Sequence, residues 1–369
     1  MKKNILISTL IMLLTAMSLY AQEEWIIQES GTEMMLYSVD FINDNTGIAV
    51  GETGTILKTN DGGLTWQNIT TSITNDLKGV SFYDENHAVA VGSGGQIIVT
   101  ENGGNNWTSH WLPGMQFNLY AVDITPDGKG VASGQYGTIL YTTDGGINWS
   151  VIQEDEYGSG WSVHRFNDNM TFVFGTGNGP NRIFKLIDNQ VTNIYDFNVD
   201  YLGNNWEGHI FDESIVTVGR ITRYPSLVGN ITSNQELTAP VWESCFTLDS
   251  CEFRGVDFIG DYGIAVGGID LGPEKTVIVE TIDGGTTWID TYNTDGKSPN
   301  LKDVKLIGNV AYAVGNDGII MKKVTGTHAV SLDLSELSLS IAPNPAADQF
   351  EISISLSSPE FVCIDIYDM

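Results

Sequence analysis

Arginine, histidine and cysteine are scarce in this chain. Of 369 residues five are Arg, and none precedes Arg165. Lys and Arg together number 17 against 46 Asp and Glu, a formal net charge of −29. A body of that sign repels phosphate backbones, which excludes nucleic acid and anionic membrane surfaces as general partners. The five histidines (87, 110, 164, 209, 328) lack ligand spacing, and neither a Gly-Lys-Ser/Thr phosphate loop nor a Gly-x-Ser-x-Gly elbow occurs. No metal and no cofactor are expected. His164 and His209 open neighbouring repeats and are read as structural, within reach of one another.

No apolar run after residue 21 is long enough to span a membrane. Residues 1–21 themselves carry Lys2 and Lys3, an apolar stretch from Ile5 to Leu14 and an approach ending Tyr20-Ala21. That is a secretory signal, with cleavage after Ala21, and it predicts a chain secreted or held at the outer cell surface. There are three cysteines, and five residues separate Cys245 from Cys251. In an exported chain that spacing predicts a local disulfide, leaving Cys363 without a partner.

Glycine is plentiful, at 41 residues, and much of it recurs in one motif. TNDGGLTW (59–66) returns as TENGGNNW (100–107), TTDGGINW (142–149) and TIDGGTTW (281–288). The spacing is 41 residues from Trp66 to Trp107 and 42 from Trp107 to Trp149. A period of that length suits one four-stranded propeller blade. Asp accepts hydrogen bonds from amides just beyond it, and the glycines take φ > 0 without steric cost. Apolar strand-like runs precede each turn and a Trp follows, so the unit reads as strand, tight turn, strand. The motif resembles the Asp-box, or BNR, repeat. The residues that carry it are Asp61, Gly63 and Trp66; Asn102, Gly104 and Trp107; Asp144, Gly146 and Trp149; and Asp283, Gly285 and Trp288. Asn102 replaces the acid in the second box, which a turn tolerates and a catalytic carboxylate does not. The boxes are therefore read as structural.

Each full unit runs L-x-x-V-x-F, then A-V-G, then T-I-L-x-T, then the box. Units begin at 36, 77, 119, 160, 206, 253 and 301, which predicts an all-β, seven-bladed propeller over 25–325. The last unit lacks its Trp strand. Trp25-Ile26-Ile27-Gln28 looks like Trp66-Gln67-Asn68-Ile69 and is expected to pair as the outer strand of blade seven, closing the ring. The whole pattern resembles the photosystem II stability/assembly factor-like propeller family, whose photosynthetic members bind proteins during assembly. After a linker at 326–336, residues 337–369 resemble the start of a type A sorting domain of the type IX secretion system, on Pro343-Asn344-Pro345 and the alternating residues that follow. That resemblance implies export through that machinery.

Two sets of candidate binding residues follow from the repeat. The second residue of each inner strand (Tyr37, Lys78, Tyr120, Trp161, Glu207, Arg254 and Lys302) is expected to ring the channel mouth. Arg182, Arg220 and Arg223 fall in or beside longer connections between second and third strands, with Arg254 on the same face. Arg binds carboxylates or phosphates bidentately, so this set suits an anionic ligand or an acidic partner segment. The expected function is a monomeric, non-catalytic module binding a protein or a glycan. The alternative is a glycoside hydrolase of sialidase or xyloglucanase type on the same scaffold. The early Phe-Arg-Ile-Pro signature of sialidases is missing, and a catalytic acid pair cannot be picked from sequence.

Overall fold

The computed structural model describes residues 25–325, apart from 113, 154–157, 168–169, 177–180, 198–202, 212–213, 224–225, 235–242, 250, 269–275 and 294–298, together with 338–342 and 351–355. The signal segment, the linker, Trp242 and most of the C-terminal tail lie outside the described residues. The chain divides into two units, Met1–Gly326 and Thr327–Met369. In the second, Ser338–Ala342 and Glu351–Ser355 pair as an antiparallel hairpin on either side of the Pro-Asn-Pro sequence.

Among the described residues the first unit forms seven four-stranded antiparallel sheets, each with its strands in chain order from inside to outside but for one substitution at the end. The inner strands are Leu36–Phe41, Leu77–Phe82, Leu119–Ile124, Ser159–Asn167, Gly203–Phe211, Glu252–Ile259 and Leu301–Ile307. Each touches the next, and Leu301–Ile307 touches Leu36–Phe41, so the array is a closed ring. The second strands, such as Gly47–Gly51 and Ala88–Gly92, are buried throughout, as strands covered on both faces must be. Their closing glycines have a further reason. A Cβ on Gly51 would stand 2.1 Å from the carbonyl oxygen of Met35, where the chain enters the inner strand.

The ring is closed by its own beginning. Ile26–Gln28 pairs antiparallel with Ile320–Val324, placing Ile26 opposite Lys322 and Gln28 opposite Ile320. Trp25, just before it, is buried among Tyr262, Ile264, Leu301 and Met321, at the seam between blades six and seven. The box tryptophans occupy the corresponding seams. Trp66 packs with residues of blades seven and one, Trp107 with blades one and two, Trp149 with blades two and three, and Trp288 with blades five and six. In these five blades the repeated Trp thus joins a blade to its predecessor.

The boxes behave as turn chemistry requires. Asp61 Oδ1 accepts from the Thr65 amide at 2.9 Å, and Thr59 Oγ accepts from the Gly63 amide at 2.9 Å. Asn102 Oδ1 does the same work for the Asn106 amide at 2.9 Å, as do Asp144 for Asn148 and Asp283 for Thr287. Both glycines of every box have φ between 65° and 87°.

Three expectations are corrected. Leu36, Leu77, Leu119, Gly160, Phe253 and Leu301 each precede a residue that is skipped in the ladder, a bulge at the second position. In blade five the skipped residue is Trp206, because Asn205 faces Gly219 and Glu207 faces Val218. Counted from the residue before the bulge, as in the other blades, Glu207 therefore holds the third position, not the second. Arg220 and Arg223 are not in a connection: the second strand runs Ser214–Arg223 and pairs through Arg223 with Ser226, extending the hairpin. The Cys245–Cys251 disulfide is not formed. Cys245 sits at a bulge in the outer strand, its thiol 3.3 Å from the Ile231 carbonyl oxygen, while Cys251 turns to that of Leu248 at 3.3 Å.

Candidate functional site

All seven inner strands line one central cavity of about 410 Å³. Six of the residues expected at its mouth, Tyr37, Lys78, Tyr120, Trp161, Arg254 and Lys302, do line it, and Glu207 lines it one position deeper. The bulge at the second position turns these side chains toward the opening. Lys78 Nζ lies 3.4 Å from the centroid of the Tyr37 ring and 3.1 Å from Asp76 Oδ2. The Tyr120 and Trp161 rings stack, with centroids 4.4 Å apart.

The arginine set resolves differently. Arg220 Nη1 lies 3.1 Å from Glu252 Oε2, and Arg254 binds the other oxygen of the same carboxylate. Glu252 is only 2% exposed, so it holds two guanidinium groups together at the start of an inner strand. Arg182 lies in the strand Asn181–Ile187, opposite Gly175 and Asp196. The side chain of Arg223 lies outside the described residues.

Below the mouth the channel follows a rule that the repeat alone did not reveal. An inner strand has no strand partner on its channel-facing edge, and its amides there need acceptors. The third or fifth side chain of the preceding blade supplies one at each seam. Asp40 accepts from Phe82, Ser81 from Ile124, Asp123 from Arg165 and Asp257 from Leu306, all through the fifth residue, at 2.8–3.2 Å. Ser162 accepts from Gly208, Glu207 from Val256 and Asp303 from Val39 through the third, at 2.9–3.3 Å. The sequence signal was present, since Asp recurs at the fifth position of LYSVDF, LYAVDI and FRGVDF.

These carboxylates titrate according to their neighbours. Withdrawal from water raises Asp257, but Lys305 and the His209 hydrogen bond outweigh this and bring it down to about 2. His209 Nδ1 lies 3.1 Å from Asp257 Oδ1. Lys305 Nζ lies 3.1 Å from Asp40 Oδ1, and Asp40 holds its ammonium well above the usual lysine range against the effect of burial. At Asp303 burial is the largest influence and raises it to about 6, despite the Val39 amide. Burial, then the charges of Asp303 and Asp257, push Glu207 well above the carboxylate range. The His164 ring lies tilted against that of His209, 4.2 Å between centroids, and its Nε2 lies 3.1 Å from the Ile210 carbonyl oxygen. Burial and then His209 lower it to about 3, so it stays neutral near pH 7. Among the described residues no group of three or more His, Cys, Asp or Glu is placed to hold a metal ion, and no helix is long and apolar enough to cross a membrane.

The ring of four-stranded sheets, the Asp boxes and the seam tryptophans define a BNR, or Asp-box, β-propeller. Residues 17–173 of the chain, less than half its length, match the family model described as photosynthesis system II assembly factor YCF48. Its fold is similar to the solved structure of YCF48 bound to D1 peptide, at TM-score 0.63 and 20% identity, covering 83% of this chain and 98% of that one. YCF48 from Cyanidioschyzon merolae matches at TM-score 0.64 and 20% identity, over 81% of this chain and 98% of that one. The GH74 xyloglucanase from Xanthomonas campestris matches at TM-score 0.62 and 10% identity, over 81% of this chain and 53% of that one. No curated protein matches the chain in sequence.

Proposed function

We propose that this chain is an exported, non-catalytic interaction module that engages a partner protein or glycan across the face bearing the channel mouth. The observation that carries the reading is the mouth itself, where aromatic and cationic side chains from six blades surround one cavity. Mixed aromatic and basic residues with a charged rim suit an interaction surface. The carboxylates beneath are already engaged, each as an acceptor for a neighbouring blade's amide, which suits support of the ring better than acid–base work on a substrate. The peptide-bound YCF48 structure supports a propeller of this kind acting through protein contacts. The apolar leader and the tail at 337–369 support delivery outside the cell by the type IX route.

Two measurements test this. The full chain is titrated against arrays of surface-protein peptides and glycans, alone and with Tyr37→Ser and Lys302→Ala. Binding that weakens tenfold or more in these variants is expected; binding unaffected by them overturns the mouth as the site. For export, deletion of 337–369 is expected to retain the protein inside the cell, and unchanged surface delivery removes the tail from the reading.

A further inference from the structure

One sector of the mouth-bearing face differs from the rest of the protein. Charged residues make up 17% of the chain, yet 111–122 and 130–142 contain no Asp, Glu, Lys or Arg. These two segments are neighbours in space. The first follows the outer strand of blade two, Thr108–His110, and crosses from the rim to the inner strand of blade three at Leu119. The second contains blade three's connection between its second and third strands. The Gln135 amide donates to the Asn118 carbonyl oxygen at 2.8 Å, tying one segment to the other.

Aromatic rings punctuate this neutral path. Trp111 stands at the rim and is 58% exposed. Phe117 and Tyr136 meet edge to face midway, with centroids 4.9 Å apart, and Tyr136 is 44% exposed. The stacked pair of Tyr120 and Trp161 ends the path at the channel. Tyr136 also has φ of 56°, in the left-handed region where a bulky side chain is disfavoured. In the matching turns of blades one, two and seven the residues are Thr53, Gly94 and Asp317, at φ 53°, 67° and 56°, so the conformation belongs to the repeat and only here does it carry an aromatic ring. Amides border the rings: Asn118 Oδ1 accepts from the Gly94 amide at 2.9 Å, and the Gln96 and Asn75 side chains meet nearby.

We propose that this sector is a binding platform for a neutral polysaccharide, with pyranose rings laid on Trp111 and Tyr136 and the chain directed toward the Tyr120–Trp161 pair. It rests on the reading of this face as the interaction surface and names the ligand class. A pyranose ring presents an apolar C–H face that packs flat on an aromatic ring, and hydroxyls at its edge that pair with neutral amides. Charge complementarity decides between occupants. An acidic or basic peptide finds no countercharge within either segment, whereas a neutral chain pays no electrostatic penalty beside a body of net charge −29.

The full chain is titrated by calorimetry with hydroxyethylcellulose, galactomannan and, as a charged control, polygalacturonate, and in parallel against acidic and basic peptide arrays. At least one neutral polysaccharide is expected to bind, with polygalacturonate tenfold or more weaker. Trp111→Ala and Tyr136→Gly are each expected to weaken binding tenfold or more. Tyr136→Gly relaxes its backbone, so a melting temperature equal to or above that of the parent shows that the loss is not unfolding. Neutral polysaccharide binding that survives both substitutions overturns the platform. Peptide binding lost in Tyr136→Gly, without polysaccharide binding, overturns the glycan assignment and leaves the interaction-module reading standing. No binding to any probe overturns both.

Discussion

The amide of Val39 donates to Asp303 Oδ2 at 2.9 Å, joining the inner strand of the first blade to that of the last. The strand pairing at the rim and this bond at the axis close the same seam from opposite sides. Replacing Asp303 by Ala leaves the Val39 amide without its acceptor, at a cost of about 1–3 kcal/mol. The expected lowering of the urea midpoint with an unchanged slope is read by equilibrium denaturation.

Asp303 also makes a pH prediction. Its folded pKa is raised from 3.8 to about 6, so the folded state holds the proton more tightly than the unfolded state. The group's contribution is therefore most favourable below about pH 4 and declines as pH rises to about 6. Asn has no proton to lose. The melting temperature of Asp303→Asn relative to the parent is expected to improve between pH 4 and pH 8, and a flat difference removes the assignment.

Lys305 lies 3.1 Å from Asp40 and offsets Asp257 as well. Lys305→Met is expected to cost roughly 1–3 kcal/mol, less than loss of a partner in a sealed pair because the channel side of Lys305 meets water. The sign at the other partner is fixed: Asp257, held at about 2, contributes stability above its unfolded pKa of 3.8 that is lost as pH falls through about 2. In Lys305→Met that acid limb is expected to move to higher pH, seen as an earlier acid transition in circular dichroism.

The seam tryptophans predict the largest effect. Trp25 is 8% exposed, and Trp25→Ala is expected to destabilise by roughly 3–5 kcal/mol. Its loss also loosens the strand that covers Ile320–Val324, so light scattering on heating is expected to rise as that edge becomes available. By contrast Asp144→Asn is expected to change stability by less than about 0.5 kcal/mol, since Asn102 already fills that role in the second box.

The periodic elements were legible because one local rule is written four times. Box, Trp and A-V-G mark turn, seam and close backbone approach, and the detached Trp25 segment could be matched to them. The mouth residues followed from the same alignment in six blades. Blade five escaped by one place, because WEGHIF mimics the pattern by spacing while its bulge falls at Trp206. Arg220 and Arg223 looked like loop residues because extra length alone does not distinguish a longer loop from a longer hairpin. The seam bonds were hidden for a different reason. An Asp alternating with apolar residues reads as a solvent-facing position, and only closure of the ring brings it to another blade's amide.

Because Ile26–Gln28 completes the sheet of Leu301–Ile307, Val310–Gly315 and Ile320–Val324, synthesis runs in the awkward direction for this domain. The earliest propeller segment to leave the ribosome is the last to find its place. Until the final blade emerges, that segment carries an unburied tryptophan, and the first blade waits on an open seam. A circle whose closing pair lies at 26–28 and 320–322 cannot lock until its last blade has been made.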